Sequence, residues 1–165
     1  MDREIKFRVW LPELEGMFYS DYETDDLNLV IYKNRVKVFD GYEDEKPYTN
    51  IHKEQECMQW SGLKLDDQDI YEGDLLRSHV TFKGNCYPLL YVVKFFNGTF
   101  VCELLDKDHE ICRIIGMPEK LNLYNFIHRT FLFLREGVTL TIEKVILEGN
   151  IFENKELLNP NKEDK

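Results

Sequence analysis

Leu90-Tyr91-Val92-Val93-Lys94-Phe95-Phe96, then Asn97-Gly98, then Thr99-Phe100-Val101-Cys102 is the stretch whose reading decides the fold. Two runs rich in aromatic and β-branched residues flank a two-residue connection, and such runs suit a pleated surface. Asn-Gly supplies the two positive φ angles of a type I′ turn, whose twist matches that of the strands it joins. The stretch therefore predicts an antiparallel hairpin.

Working outward, the same signals recur on both sides. Upstream, Ile70-Tyr71-Glu72-Gly73-Asp74-Leu75-Leu76 places Gly73 at a sharp bend before a new strand, and Met58 to Leu63 reads as a short strand before the acidic turn at 65–69. Leu27–Tyr32 and Val36–Phe39 form a strand pair around Lys33-Asn34-Arg35, and residues 40–50 read as a loop with Gly41 and Pro47. Residues 3–10 alternate, with Ile5, Phe7 and Val9 on one face and Lys6 and Arg8 on the other; Pro12 ends that strand. Downstream of Pro118 the period changes. Leu123, Tyr124, Ile127, Phe131 and Leu134 follow helical spacing and Gly137 sits where a helix would end, although the same residues also suit strands. Val138–Leu147 returns to a β pattern, Gly149-Asn150 turns, and Asn154 is placed to cap a short helical turn over Lys155–Leu158.

This pattern predicts a mainly β chain, β-rich α+β in class, with small-barrel character, packed short strands and at most one substantial helix, near 119–135. The chain has 165 residues, enough to bury roughly 70% of its unfolded surface without a disulfide or metal. A single compact unit over 1–158 is expected, divisible into two small β subdomains at about 1–55 and 56–158, with 159–165 a disordered polar tail.

Composition narrows the function classes. Hydrophobic residues make up 43% of the chain, which argues against disorder. Net charge is −10, from 21 bases and 31 acids, so neither duplex DNA nor an anionic membrane is an expected partner. The first residues, Met1-Asp2-Arg3-Glu4-Ile5-Lys6, lack the apolar core of a secretory signal, which places the chain in a cytoplasm and its four cysteines, Cys57, Cys86, Cys102 and Cys112, in the reduced state.

Each candidate for chemistry in the sequence also has a simpler structural role. Glu72-Gly73-Asp74 could pair carboxylates, but turn chemistry accounts for all three residues. Asp66, Asp67 and Asp69 fail the spacing of a calcium loop, since the sixth and twelfth positions from Asp67 are Glu72 and Ser78. His109 and Cys112, beside Asp106 and Asp108, make too few zinc ligands, and no C-x₂-C occurs. His52, His79, His109 and His128 are candidate bases without a recognisable nucleophile elbow or phosphate loop. Between residues 9 and 32 there are six acids and no Lys or Arg. Within that run Asp21, Glu23 and Asp25 would lie about 6.6 Å apart along a strand, a spacing that could mimic a nucleic-acid backbone. A solvated acidic surface is the simpler reading. No catalytic, cofactor-binding or metal-ligating residue is assigned, and no cofactor is expected.

Three stretches carry a family resemblance: Arg3-Glu4-Ile5-Lys6-Phe7-Arg8-Val9-Trp10; Met58-Gln59-Trp60-Ser61-Gly62-Leu63 with Ile70-Tyr71-Glu72-Gly73-Asp74-Leu75-Leu76; and Val145-Ile146-Leu147-Glu148-Gly149-Asn150-Ile151-Phe152-Glu153-Asn154-Lys155-Glu156-Leu157-Leu158. Val92 to Phe100 adds a weaker fourth. In order and spacing they resemble the YopX family of phage and prophage proteins. The resemblance spans the ends and the middle, not 11–50 or 103–142. Trp60 stands where the family usually shows tyrosine, Lys155 where proline is common, and Asp66-Asp67-Gln68-Asp69 lacks the usual asparagine-glycine. The resemblance implies a phage or prophage origin, an SH3-like small-barrel fold and no assigned activity or catalytic residue.

The expected function is that of a non-enzymatic accessory protein binding other protein chains, with itself as one partner in a homo-oligomer. The motivation for self-association is Phe126–Leu134, where six of nine residues are apolar on more than one side of any helix. The alternatives are an acidic nucleic-acid mimic that inhibits a DNA-binding protein of the host, and an enzyme with a dispersed site.

Overall fold

A computed structural model describes residues 6–12, 15–20, 27–32, 35–40, 49–50, 55–107, 110–128, 133–135 and 138–158. The chain divides into two compact units, Met1–Trp60 and Ser61–Lys165, with the boundary inside one strand. Among the described residues the structure is mostly antiparallel β, with two short α-helices and curled sheets of half-barrel character. No described helix is long and apolar enough to cross a membrane.

In the first unit, β1 (Phe7–Leu11) lies between β2 (Gly16–Tyr19) and β6 (Gln55–Leu65); β6 continues to β4 (Arg35–Asp40) and β3 (Leu27–Tyr32), and β5 (Thr49–Asn50) pairs with β4. Val9 and Leu11 are fully buried against Phe18 and Cys57. Arg8, expected on the solvent face, is only 5% exposed. β1 is a central strand, paired at Arg8 with Tyr19 on one edge and Met58 on the other, so neither of its edges is free. The predicted strand residues 3–5, the acids Asp21, Glu23 and Asp25, His52 and most of the 40–50 loop lie outside the described residues.

In the second unit, the end of β6 and β7 (Gln68–Tyr71) form a hairpin. The main sheet has six strands in the order β11 (Lys120–Asn122), β10 (Thr99–Leu104), β9 (Asn85–Phe96), β8 (Asp74–Phe82), β13 (Val138–Asn150) and β12 (Phe133–Arg135). The predicted hairpin is there: Asn97 and Gly98 have φ of 49° and 80°, and Phe95 pairs with Phe100. Lys83-Gly84 makes a second turn with both φ positive, joining β8 to β9. Register shifts at Ile142/Lys144 and Leu147/Gly149 mark bulges in β13, which increase local twist and bend the sheet.

The helix expected over 119–135 is five residues long, α2 (Leu123–Ile127). Asn122 caps it through a bond accepted from the Asn125 N–H at 3.2 Å. Lys120–Asn122 and Phe133–Arg135 are strands instead, the latter pairing Leu134 with Thr139; Phe131 and Gly137 lie outside the described residues. Branched and aromatic residues lose rotamer freedom in a helix and pack well on a sheet, so a tertiary partner decides such a segment. A helix the sequence reading did not anticipate, α1 (Glu110–Ile115), ends in a Schellman geometry, with Gly116 at φ 63° and the Met117 N–H bonded to the Cys112 carbonyl at 3.0 Å.

Strand alternation gives the main sheet two different faces. Leu76, Ser78, Val80, Leu89, Tyr91, Val93, Cys102, Leu104 and Val145 fill the first. They meet Phe126, Ile127, Ile111 and Cys112 of the helices and Ile70 of the β6–β7 hairpin in one core. Tyr91 and Phe126 pack with ring centroids 4.7 Å apart and planes tilted by 55°.

Candidate binding face

Of the motifs that carried the resemblance, residues 7–10 and Met58–Leu63 lie in β1 and β6, whereas those at 70–76 and 145–158 run from strands into bends. Asp74, 2% exposed, accepts the Tyr71 N–H at 2.8 Å, and Glu72 accepts the Phe95 N–H at 3.2 Å. Both carboxylates are engaged by backbone, as turn chemistry requires. The Ile151 N–H bonds to the Gly73 carbonyl at 3.0 Å, so the Glu72-Gly73-Asp74 bend and the Gly149-Asn150 bend meet. Asn150 Oδ1 accepts from Phe152 and Glu153, each at 3.0 Å. Asn154 does not cap the last helical turn with its side chain. Its Oδ1 reaches back to the Asn150 N–H at 3.1 Å, and its carbonyl accepts from Leu157. A Cβ at Gly149 would overlap that Asn154 oxygen.

Thiols and hydroxyls meet inside the core of the second unit. Ser78 and Tyr91 are buried close enough for Ser78 to act on the phenol, yet neither hydroxyl reaches hydrogen-bond geometry. Burial drives the Tyr91 phenol far up, against a small opposing pull from Ser78. Burial likewise drives the Cys102 thiol far up, and burial with the nearby Asp106 raises Cys112. A thiolate is the reactive form of cysteine, so these thiols are held in their inert form. Cys86 is exposed on β9 and Cys57 half-buried in the first unit, and no disulfide joins any of the four cysteines.

Histidines do not converge. His79 lies on β8 and His128 ends α2 with its ring 4.4 Å from that of Tyr124, while His109 lies outside the described residues. Asp66 and Asp67 are exposed at the β6–β7 turn with φ of 49° and 66°. Among the described residues no three His, Cys, Asp or Glu side chains cluster as metal ligands would.

The opposite face of the main sheet is where charge and exposed apolar surface come together. Register places Leu75, Val92, Glu103 and Lys120 in one row across β8, β9, β10 and β11, and Lys94, Val101 and Asn122 in the next. Leu75, Leu90 and Val92 are buried beneath Ile151, Leu157 and Leu158, so residues 151–158 form a short strap over the middle of this face. On one side of the strap Arg77 holds Glu148 bidentately, Nη2 to Oε2 at 2.6 Å with Nε donating to Oε1. That bond holds the Glu148 carboxyl below its usual range, with the charges of Arg77 and His79 assisting and burial opposing. The His79 Nδ1 is buried with no hydrogen-bond partner among the described residues.

On the other side three lysines surround one carboxylate. Glu103 lies 3.3 Å from Lys94, 3.7 Å from Lys107 and 3.8 Å from Lys120. Burial pushes the Glu103 carboxyl up, but the bond from Lys94 and the charges of the three lysines outweigh it and hold the group below its ordinary value. Lys107 also bonds Glu119 at 3.0 Å. Lys120 Nζ sits 3.6 Å from the ring centroid of Phe96, which is 43% exposed. Sequence reading missed this corner because its members stand at 94, 96, 103, 107 and 120, and only strand register assembles them.

Comparison with known proteins adds a family and a fold. The family model described as YopX protein matches residues 6–159. A crystal structure of the protein yopX from Bacillus subtilis superposes with a TM-score of 0.50 at 19% identity, covering 93% of this chain and 95% of that one. The structure of protein EF1440 from Enterococcus faecalis aligns with a TM-score of 0.42 at 22% identity, over 95% of this chain and 99% of the other. No curated protein matches the chain.

Proposed function

Because the chain belongs to the YopX family, we propose that it is a phage or prophage accessory protein of the host cytoplasm that works by binding another protein chain. The surface it uses is the strap-bearing face of the six-stranded sheet. One observation carries the reading: Phe96 stands exposed beneath Lys120, beside Lys94, at the rim of two neighbouring rows that include buried Val92 and buried Val101. An aromatic anchor with an apolar floor and a charged rim is the anatomy of a protein-binding surface.

The test is affinity capture from cells in which the gene is expressed, with the variant Phe96→Ser/Lys120→Gln as control. A protein captured in stoichiometric amount by the natural chain and lost with the variant supports the reading. Capture of nucleic acid in place of protein, or equal capture by both forms, overturns it.

A further inference from the structure

The strap shows what kind of segment fits the middle of this face. Leu75, Leu90 and Val92 are 0%, 9% and 3% exposed, and the side chains packed on them are Ile151, Leu157 and Leu158. The floor is buried but its cover is not: every residue from Ile151 to Leu158 stays half-buried or exposed. The strap ends in a single 3₁₀ turn, Lys155–Leu158, whose hydrogen-bond geometry is poorer than that of an α-helix. Among the described residues, its main-chain link to the sheet beyond β13 is the bond from the Ile151 N–H to the Gly73 carbonyl. Its hold on the floor is therefore mainly apolar. Such contact is non-directional, so another segment with the same side chains can take its place.

The seat beneath the strap adjoins the exposed aromatic corner. Register sets Val92 between Leu75 and Glu103 with Lys120 next in the row, and sets Val101 beside Lys94 in the following row. Lifting residues 151–158 brings Leu75, Leu90 and Val92 to the surface on the same face as Phe96 and Val101. Resting on the protein-binding reading above, we infer that residues 151–158 are an autoinhibitory segment, holding the seat of a partner segment of the same chemistry: a short turn that presents a branched apolar side chain and a Leu-Leu pair. A site closed by its own chain is weakened in proportion to the fraction of molecules in which it is open. A strap lifted in about 1% of molecules weakens an incoming segment about a hundredfold.

Fluorescence anisotropy of a labelled peptide that copies Ile151–Leu158 tests this on the full chain. Leu157→Ser/Leu158→Ser loosens the strap, circular dichroism verifies that the variant folds, and Leu158→Ala replaces it if it does not. The loosened chain should bind the peptide about tenfold or more tightly than the natural chain does. Adding Val92→Thr, which puts a hydroxyl into the seat, should cancel that gain. Lys155→Gln, at an exposed strap residue, should bind as the natural chain does. Equal affinity of the natural and loosened chains, or a gain that Val92→Thr leaves intact, overturns the inference. In affinity capture the loosened chain should also retain more of the protein held through Phe96 and Lys120. The two readings separate: no gain of peptide on loosening ends this inference and leaves protein binding standing, whereas natural and loosened chains that both capture nothing end both.

Discussion

The two faces of the six-stranded sheet are built from alternate residues of the same strands, and they obey different rules. On the core face, Leu76, Ser78, Tyr91, Val93 and Cys102 are all fully buried, and burial pushes the Tyr91 phenol and the Cys102 thiol far up. Across the backbone, Arg77, Lys94, Phe96, Glu103 and Lys120 stay accessible, and their charges are matched within small groups. A closed face makes the fold stable because every atom has a neighbour. An accessible face can change partners for the opposite reason.

That contrast can be broken most forcefully from the inside. Phe126→Ala removes a fully buried ring packed on Tyr91, and urea unfolding should show a loss of about 3–5 kcal/mol. A loss below about 1 kcal/mol would mean that the helix-covered face is not the main core. Next in size is Gly149→Ala, at the junction of sheet and strap. The residue has φ of 144° and no room for a Cβ beside Asn154, so thermal unfolding should register a cost of about 1–3 kcal/mol.

On the accessible face the expected effects are smaller and depend on pH. Because Arg77 lowers the Glu148 pKa in the folded state, the pair stabilises the protein above the ordinary carboxylate range. That contribution fades as pH falls through the unfolded value, about 4.3, towards the lower folded one. Melting curves from neutral to acidic pH should show Glu148→Gln less stable than the natural chain by about 1 kcal/mol at pH 7, with the gap closing in acid. A gap that widens in acid would reverse the assigned sign. The smallest effect belongs to the hairpin that covers the core face. Asp66 and Asp67 both hold positive φ there without a glycine, so Asp67→Gly should raise stability by about 0.5–1 kcal/mol in urea titration. A decrease would show that the aspartate side chain contributes more than its backbone strain costs.

Legibility in the sequence followed how local each determinant is. Asn97-Gly98 fixes its turn by itself, and the strands around it read correctly. Gly73 and Gly149 likewise read as bends. The 119–135 segment misled because its helical spacing is also tolerable to strands, and pairing of β12 with β13 overrode it. α1 escaped although Gly116 and Pro118 follow Ile111, Cys112 and Ile115 at helical spacing, since six residues give the period little room to show. Arg8 misled because alternation assumes that one face of a strand is wet, and Arg8 is buried on the face expected to be wet. The binding corner was illegible for a stronger reason: strand register, set by the whole sheet, is what brings Lys94 and Lys120 to Glu103.

The strap over Leu75, Leu90 and Val92 has a kinetic consequence. Its polar bonds, among Asn150, Glu153, Asn154 and Glu156, are confined to the strap and its root, and its grip on the sheet comes from Ile151, Leu157, Leu158 and the amide bond to Gly73. Lifting it breaks none of the ladders between β8, β9 and β10. In native-state hydrogen exchange the amides of Ile151 and Leu157 therefore belong to a sub-global opening of low free energy, while those of Tyr91 and Cys102 exchange only when the whole unit unfolds. Faster exchange at Leu157 than at Tyr91 is the expected result, and equal protection of the two amides would show that the strap opens only with the whole unit.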